Sequence, residues 1–301
     1  RGHISLFSIV LIPLSLITII KNYYENSKIK KNFFDLKTIC VGNIYIGGTG
    51  KTPLVNNLAN HFKKRFKTYI IKKNYTSHLD EKNLLESKHE VIFEKTRELS
   101  ILKAENKKAE MLIFDDGLQE KKINYDLKIV CFNSLKLDGN GLIIPAGPLR
   151  ERLISIKNYD IVLINGDLSK ESKSFINKIK KINPNIKIFT GRYVPKNYSK
   201  LKKKKFVIFS GIGNPHTFSD TLKSLKIKFN SYVKFPDHYD YKESDLKKLR
   251  NLAKIKNCEL LTTEKDYFRI KKSFQKNINF LKVELSVDKE KKFYKYLNER
   301  L

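Results

Sequence analysis

The stretch Val41-Gly42-Asn43-Ile44-Tyr45-Ile46-Gly47-Gly48-Thr49-Gly50-Lys51-Thr52-Pro53 constrains this chain more than any other. An apolar run from Thr38 leads into it, and a helical pattern begins at Thr52. Strand, glycine-rich turn and helix start, in that order, form a phosphate cradle. The glycines let backbone amides curl around oxyanions, and a lysine and a hydroxyl sit where the helix dipole begins. Gly47, Gly48, Thr49, Gly50, Lys51 and Thr52 are therefore candidate nucleotide-binding residues. Tyr45 stands at the outer position where the strict template has glycine, so the loop is a variant. The competing reading is a glycine-rich strand-to-helix turn with a surface lysine.

Further strands and helices alternate downstream, which indicates a mostly parallel sheet. The strand Glu110 to Phe114 ends in Asp115-Asp116-Gly117. Carboxylates at the carboxyl end of a buried strand are where a nucleotide-bound Mg²⁺ is held. After the apolar run Leu142 to Ile144, the rigid segment Pro145-Ala146-Gly147-Pro148 delivers Arg150 and Glu151 to a fixed place.

With 301 residues the chain is too long for one compact core and suits two α/β domains. The expected organisation is an apolar helix with a basic flank over 1–33, a phosphate-loop domain over 34–200, and a smaller α/β domain over 201–301. The Lys202 to Lys205 run marks the boundary. Ile4 to Ile20 is apolar apart from small hydroxyl residues and is followed by lysines. A short membrane anchor or an interface-lying helix fits, with the basic flank toward anionic lipid; a buried helix of a soluble domain is the alternative.

Lys+Arg of 61 against Asp+Glu of 31 gives a formal charge of +30, which attracts polyanions. The lysines recur through helices, loops and strands alike, as a drifted composition produces, so the charge does not name a partner. The cysteines Cys40, Cys131 and Cys258 lack paired metal spacing and read as reduced core thiols of a cytosolic compartment.

Five loops together resemble one family, the tetraacyldisaccharide 4′-kinase of lipid A biosynthesis. They are Gly42-Asn43 through Pro53, Asp115-Asp116-Gly117-Leu118-Gln119, and Pro145 through Glu151. The others are Gly211-Ile212-Gly213-Asn214-Pro215 with Phe218, and Phe235-Pro236-Asp237-His238 followed by Thr263-Glu264-Lys265-Asp266. Ile12-Pro13-Leu14-Ser15-Leu16 is similar to the family's membrane-associating helix. The family likewise lacks glycine at the position of Tyr45.

The resemblance implies an ATP- and Mg²⁺-dependent kinase at the cytoplasmic face of the inner membrane, peripheral or held by a single amino-terminal anchor. It would phosphorylate the 4′-hydroxyl of an acylated glucosamine disaccharide 1-phosphate. No nucleic acid is expected, and no obligate protein partner is implied. Lys51 and the amides of Gly48 to Lys51 would hold the β- and γ-phosphates. Thr52, Asp115 and Asp116 would serve the metal, and Arg150 the phosphate oxygens. Glu151 would orient Arg150 or assist the metal. The resemblance maps the proton-accepting carboxylate to Asp80 and its histidine to His238, and places Tyr75 beside the nucleotide.

Several spellings depart from the family. Its Ser-Arg-Gly-Tyr-Gly is Lys72-Lys73-Asn74-Tyr75-Thr76 here, Leu79 and Lys82 replace the Gly and Pro around Asp80, and Glu120 replaces a His. Two other readings stay open: a basic nucleic-acid-binding phosphate-loop ATPase, and a membrane-bound nucleotide sensor without catalysis.

Overall fold

A computed structural model describes residues 5–27, 35–73, 79–213 and 215–301; for 21–27 and 79–82 it describes the backbone alone. In chain order the elements begin α1 (Leu6–Ser27), β1 (Lys37–Gly42), α2 (Lys51–Phe62), β2 (Thr68–Lys73), α3 (Leu79–Glu86), β3 (Val91–Glu94), α4 (Arg97–Asn106) and β4 (Met111–Asp115). Next come β5 (Leu127–Asn133), β6 (Ile161–Asn165), α5 (Lys170–Ile182), β7 (Lys187–Pro195), α6 (Tyr198–Leu201), β8 (Lys205–Ser210) and α7 (Pro215–Ser224). The chain closes with β9 (Lys228–Lys234), α8 (Glu243–Ile255), β10 (Glu259–Thr263), α9 (Glu264–Arg269), β11 (Ile278–Leu281), β12 (Val283–Val287) and α10 (Glu290–Arg300).

The larger sheet has eight strands in the order β12-β7-β6-β5-β1-β4-β2-β3. From β3 across to β7 its ladders are parallel. Parallel strands covered on both faces must be apolar along their whole length. β4 and β6 meet that demand up to their last residues, Asp115 and Asn165, with every residue buried. α2 presents Leu54, Val55, Leu58, Ala59 and Phe62 to the core, a helical stripe. Each such large side chain contributes about 1.5–3 kcal/mol on burial. The smaller sheet has the order β11-β10-β8-β9, with parallel ladders throughout.

The chain divides into two compact units. One comprises Arg1–Asn74, His89–Tyr193 and Leu285–Leu301; the other comprises Tyr75–Lys88 and Val194–Glu284. The break expected at residues 200 and 201 therefore falls near Tyr193, and the second unit does not run to the end of the chain. After β11 the chain returns to the first unit, where α10 buries Phe293 and Leu297. α5, β7 and α10 had no counterpart in the sequence expectations. In α5 lysines surround a narrow stripe of Phe175 and Ile179, and β7 mixes apolar residues with Thr190, Gly191 and Arg192, most of them partly exposed or exposed. The lysines of α5 obscure its stripe, and β7 has no alternation to notice.

α1 is longer than the apolar run that announced it, and Pro13 lies inside it. Its buried Ser15 hydroxyl donates to the Ile143 carbonyl at 2.9 Å and accepts from the Ala146 amide at 3.1 Å. Most of its large apolar side chains stay exposed, among them Leu6, Phe7, Val10 and Ile17. Among the described residues no helix is long and apolar enough to cross a membrane.

Candidate active site

The phosphate loop leaves the end of β1 and closes on the start of α2. Gly47 and Gly50 take φ of 97° and 91°, a left-handed region that side-chain-bearing residues avoid. Gly50 also has no room: a Cβ there would lie 2.5 Å from Asn165 Nδ2. Buried Asn43 shapes the loop from inside, donating from Nδ2 to the carbonyls of Tyr45 and Gly47 at 2.5 and 3.1 Å. Its Oδ1 accepts from Lys51 Nζ at 3.0 Å. The ammonium of Lys51 is thus held over the loop, 3.6 Å from Asp116 Oδ2.

Asp115 and Asp116 leave the carboxyl end of β4 and have different surroundings. In the parallel registers Asp115 is the partner of both Val41 on β1 and Lys72 on β2. Lys72 Nζ donates to Asp115 Oδ2 at 2.6 Å, with side-chain exposures of 9% and 1%. Thr52 Oγ1 donates to the same oxygen at 3.4 Å. The other oxygen, Oδ1, is buried and has no hydrogen-bond partner among the described residues. A buried carboxylate oxygen left open beside a threonine hydroxyl is a hard oxygen donor set of the kind Mg²⁺ takes. These residues fit the ion. Among the described residues no cluster of three or more His, Cys, Asp or Glu side chains could hold a metal alone. An ion here would accordingly share its shell with phosphate oxygens and water, as magnesium does in phosphoryl-transfer sites.

Asp116 is engaged from several sides. Its φ is 62°, its amide donates to Val41 O at 2.8 Å, and its carbonyl accepts from buried Arg97 at 2.6 Å. Left-handed backbone at a non-glycine residue costs about 1 kcal/mol, and these bonds offset it. The carboxylate accepts from Arg150 Nη1 through both oxygens, at 2.9 and 3.0 Å. Arg150 reaches it because its loop lies along the phosphate loop. The Ile46 amide donates to Pro148 O at 2.9 Å, and the Arg150 amide to Ile44 O at 2.7 Å.

Glu151 is held by its neighbours. Its carboxylate accepts from Lys121 at 3.3 and 3.4 Å and from the Tyr159 hydroxyl at 3.1 Å. Burial, then the neighbouring Glu151 charge, pushes the Tyr159 phenol upward, so it donates as a neutral hydroxyl. Gln119 stands between Glu151 and Arg150. Its Oε1 accepts from Arg150 at 3.2 Å, while Nε2 donates to Glu151 Oε1 and to Asn43 O, both at 3.0 Å. Glu151 is therefore linked to Arg150 through the Gln119 amide rather than directly. Gln119 and Asn43 stand inside sequence motifs and Lys72 in a stretch that departs from the family, and no local signal gives any of them a role.

In the second unit, His238 follows β9 on a loop with φ of 58° and a half-exposed imidazole. Its Nε2 lies 3.9 Å from Asp237 Oδ1. Asp80 falls in the first turn of α3, where the backbone alone is described, and Tyr75 and Asn214 lie outside the described residues.

The family model described as tetraacyldisaccharide-1-P 4′-kinase matches residues 5–301. A tetraacyldisaccharide 4′-kinase of Pelagibacter ubique (strain HTCC1062) is 44% identical over 297 residues, covering 95% of this chain and 91% of that protein. One from Rickettsia akari (strain Hartford) is 34% identical over 320 residues, covering 99% and 94%. Among solved structures, LpxK from Aquifex aeolicus in complex with ATP aligns with a TM-score of 0.73 at 24% identity, covering 98% of this chain and 99% of that one. That likeness speaks for the fold.

Proposed function

The chain belongs to the tetraacyldisaccharide-1-P 4′-kinase family, ATP-dependent kinases of lipid A biosynthesis, and we propose that its transfer site is the Lys51, Thr52, Asp115, Asp116 and Arg150 constellation. The observation that carries this reading is the division of labour between the two carboxylates. Asp116 collects the two cations, Lys51 and Arg150, while Asp115 keeps one buried oxygen open.

Transfer of a phosphoryl group spreads negative charge over its oxygens, so catalysis is positioning plus electrostatics. The loop amides from Gly48 to Lys51 and the Lys51 ammonium hold the β- and γ-phosphates of ATP. Arg150 is held by Asp116 and Gln119, and its planar fork turns to the transferred group. Thr52 Oγ1 and Asp115 Oδ1 would hold magnesium, which when bound would neutralise phosphate charge. Lys72 holds the other oxygen of Asp115, which would leave Oδ1 to the ion.

For the proton of the acceptor hydroxyl the candidates are Asp80 and His238, with Tyr75 beside the nucleotide, on the family spelling of their loops. The acceptor is the acylated disaccharide 1-phosphate. The exposed apolar residues of α1 support contact with an anionic membrane surface, at the cytoplasmic face of the inner membrane. The test is ADP release by purified protein with Mg-ATP, with and without acceptor. Acceptor-dependent turnover that Lys51→Ala abolishes supports the reading. ATP binding with no response to acceptor contradicts it.

A further inference from the structure

We infer that Asp266 is a positioning residue for His238, acting through Gly211; the inference rests on the proposed role of His238. Asp266 lies in the first turn of α9 and is fully buried. Its Oδ1 accepts from the Gly211 amide at 3.0 Å, the Tyr241 hydroxyl at 2.9 Å and Arg269 Nη1 at 3.1 Å. Its Oδ2 accepts from Thr263 Oγ1 at 2.6 Å. Gly211 then passes the constraint on. Its carbonyl accepts from the His238 amide at 3.1 Å and from Arg269 Nη1 at 2.9 Å. One guanidinium nitrogen thereby binds both the carboxylate and the carbonyl that receives His238.

The path is short and tightly packed. A Cβ on Gly211 would lie 2.9 Å from Pro236 O and 3.0 Å from Tyr239 Cβ, so the loop carrying His238 presses directly on this residue. His238 itself takes a left-handed φ of 58°. A histidine remains there only where its surroundings over-determine the backbone. Its amide bonds to Gly211 O and to Asp237 Oδ1, at 3.0 Å, do so.

A buried carboxylate–guanidinium pair is a poor way to gain stability, because desolvation offsets the attraction. Burial pushes the Asp266 carboxyl upward, against the four donors that favour its ionised form. What such a network supplies is a single arrangement, since any other leaves a charge uncompensated. Here the arrangement fixes the backbone from which the His238 imidazole projects. Phe209, Phe235 and Tyr241 pack edge to face around the same place and keep water from loosening it. Misplacing a reacting group by about 1 Å can cost about a hundredfold in rate. Asp266 therefore acts on kcat through His238 and leaves the KM for ATP unchanged.

The experiment is a double-mutant cycle on the full chain, with kcat, KM and melting temperature measured for each enzyme. Asp266→Asn should lower kcat between about tenfold and a hundredfold with KM for ATP unchanged. On a His238→Ala background the same change should cost less than about twofold. Tyr241→Phe removes one donor from the same oxygen with little change in volume. It should show a smaller kcat loss with the same non-additivity, and it decides the matter if Asp266→Asn fails to fold. Full multiplication of the two losses, or a folded Asp266→Asn enzyme with wild-type kcat, overturns the positioning role alone. Undiminished kcat in His238→Ala overturns the role of His238, and this inference with it.

Discussion

Arg150 Nη1 reaches both carboxylate oxygens of Asp116, at 2.9 and 3.0 Å. Lys51 approaches the same carboxylate at 3.6 Å. Asp116 thus holds two phosphate-seeking cations near one point. On the proposed reading a phosphate arriving there would meet donors already in place, a source of electrostatic catalysis.

Arg150→Lys keeps the charge and removes the planar fork. It should lower kcat by more than about tenfold, and Arg150→Ala by about a hundredfold or more. Gln119→Ala should cost less than either, because it frees the arginine without deleting it. Steady-state kinetics over ATP concentration check the order, and equal losses for all three would contradict it.

Lys72 and Asp115 are a buried pair joined at 2.6 Å. Lys72→Met leaves the carboxylate uncompensated, and removing one partner of such a pair costs about 3–5 kcal/mol. Urea unfolding should show that loss. Mg²⁺ with ATP, by supplying a new cation to Asp115, should raise the variant's melting temperature more than the wild type's. Equal ligand-induced shifts would contradict the assignment of Asp115 to the metal.

His61 stacks on Tyr294 of α10, with ring centroids 3.9 Å apart. Burial lowers its pKa below the ordinary 6.5, helped by Lys64 and Arg65 and opposed by Asn298 and Glu290. The folded value lies below the unfolded one. The stability carried by neutral His61 is therefore present above about pH 6.5 and lost as pH falls through the folded value. Melting temperature should decline between about pH 7 and pH 5, and less so in His61→Phe. Parallel pH curves for the two proteins would rule His61 out as the cause.

Burial pushes the thiols of Cys40 and Cys131 up to about 12. The thiolate is the reactive form, so both should resist a maleimide in the native protein. Cys258 is only partly buried and should label first. Mass spectrometry of briefly treated protein should find one modified cysteine, and rapid labelling at Cys40 or Cys131 would show that the strands around them open.

Local features of the site were legible in the sequence because their chemistry is local. A glycine at a left-handed turn, or carboxylates after a buried strand, announce themselves within a few residues. Lys72 did not, because its meaning depends on the register between β2 and β4, which sets it beside a residue 43 positions away. Gln119 joins Asn43 and Glu151, 76 and 32 positions distant. Its amide offers no charge or periodicity to notice. The return of Leu285–Leu301 to the first unit was hidden for a similar reason. A reading made residue by residue assigns the tail to whatever precedes it.

The most direct test of the account is ³¹P NMR of the product made from Mg-ATP and tetraacyldisaccharide 1-phosphate. One new phosphomonoester, on the 4′ oxygen, should form one-to-one with ADP and be absent with Lys51→Ala. ADP formed without that phosphomonoester, or product formed equally well by the Lys51→Ala enzyme, would contradict it.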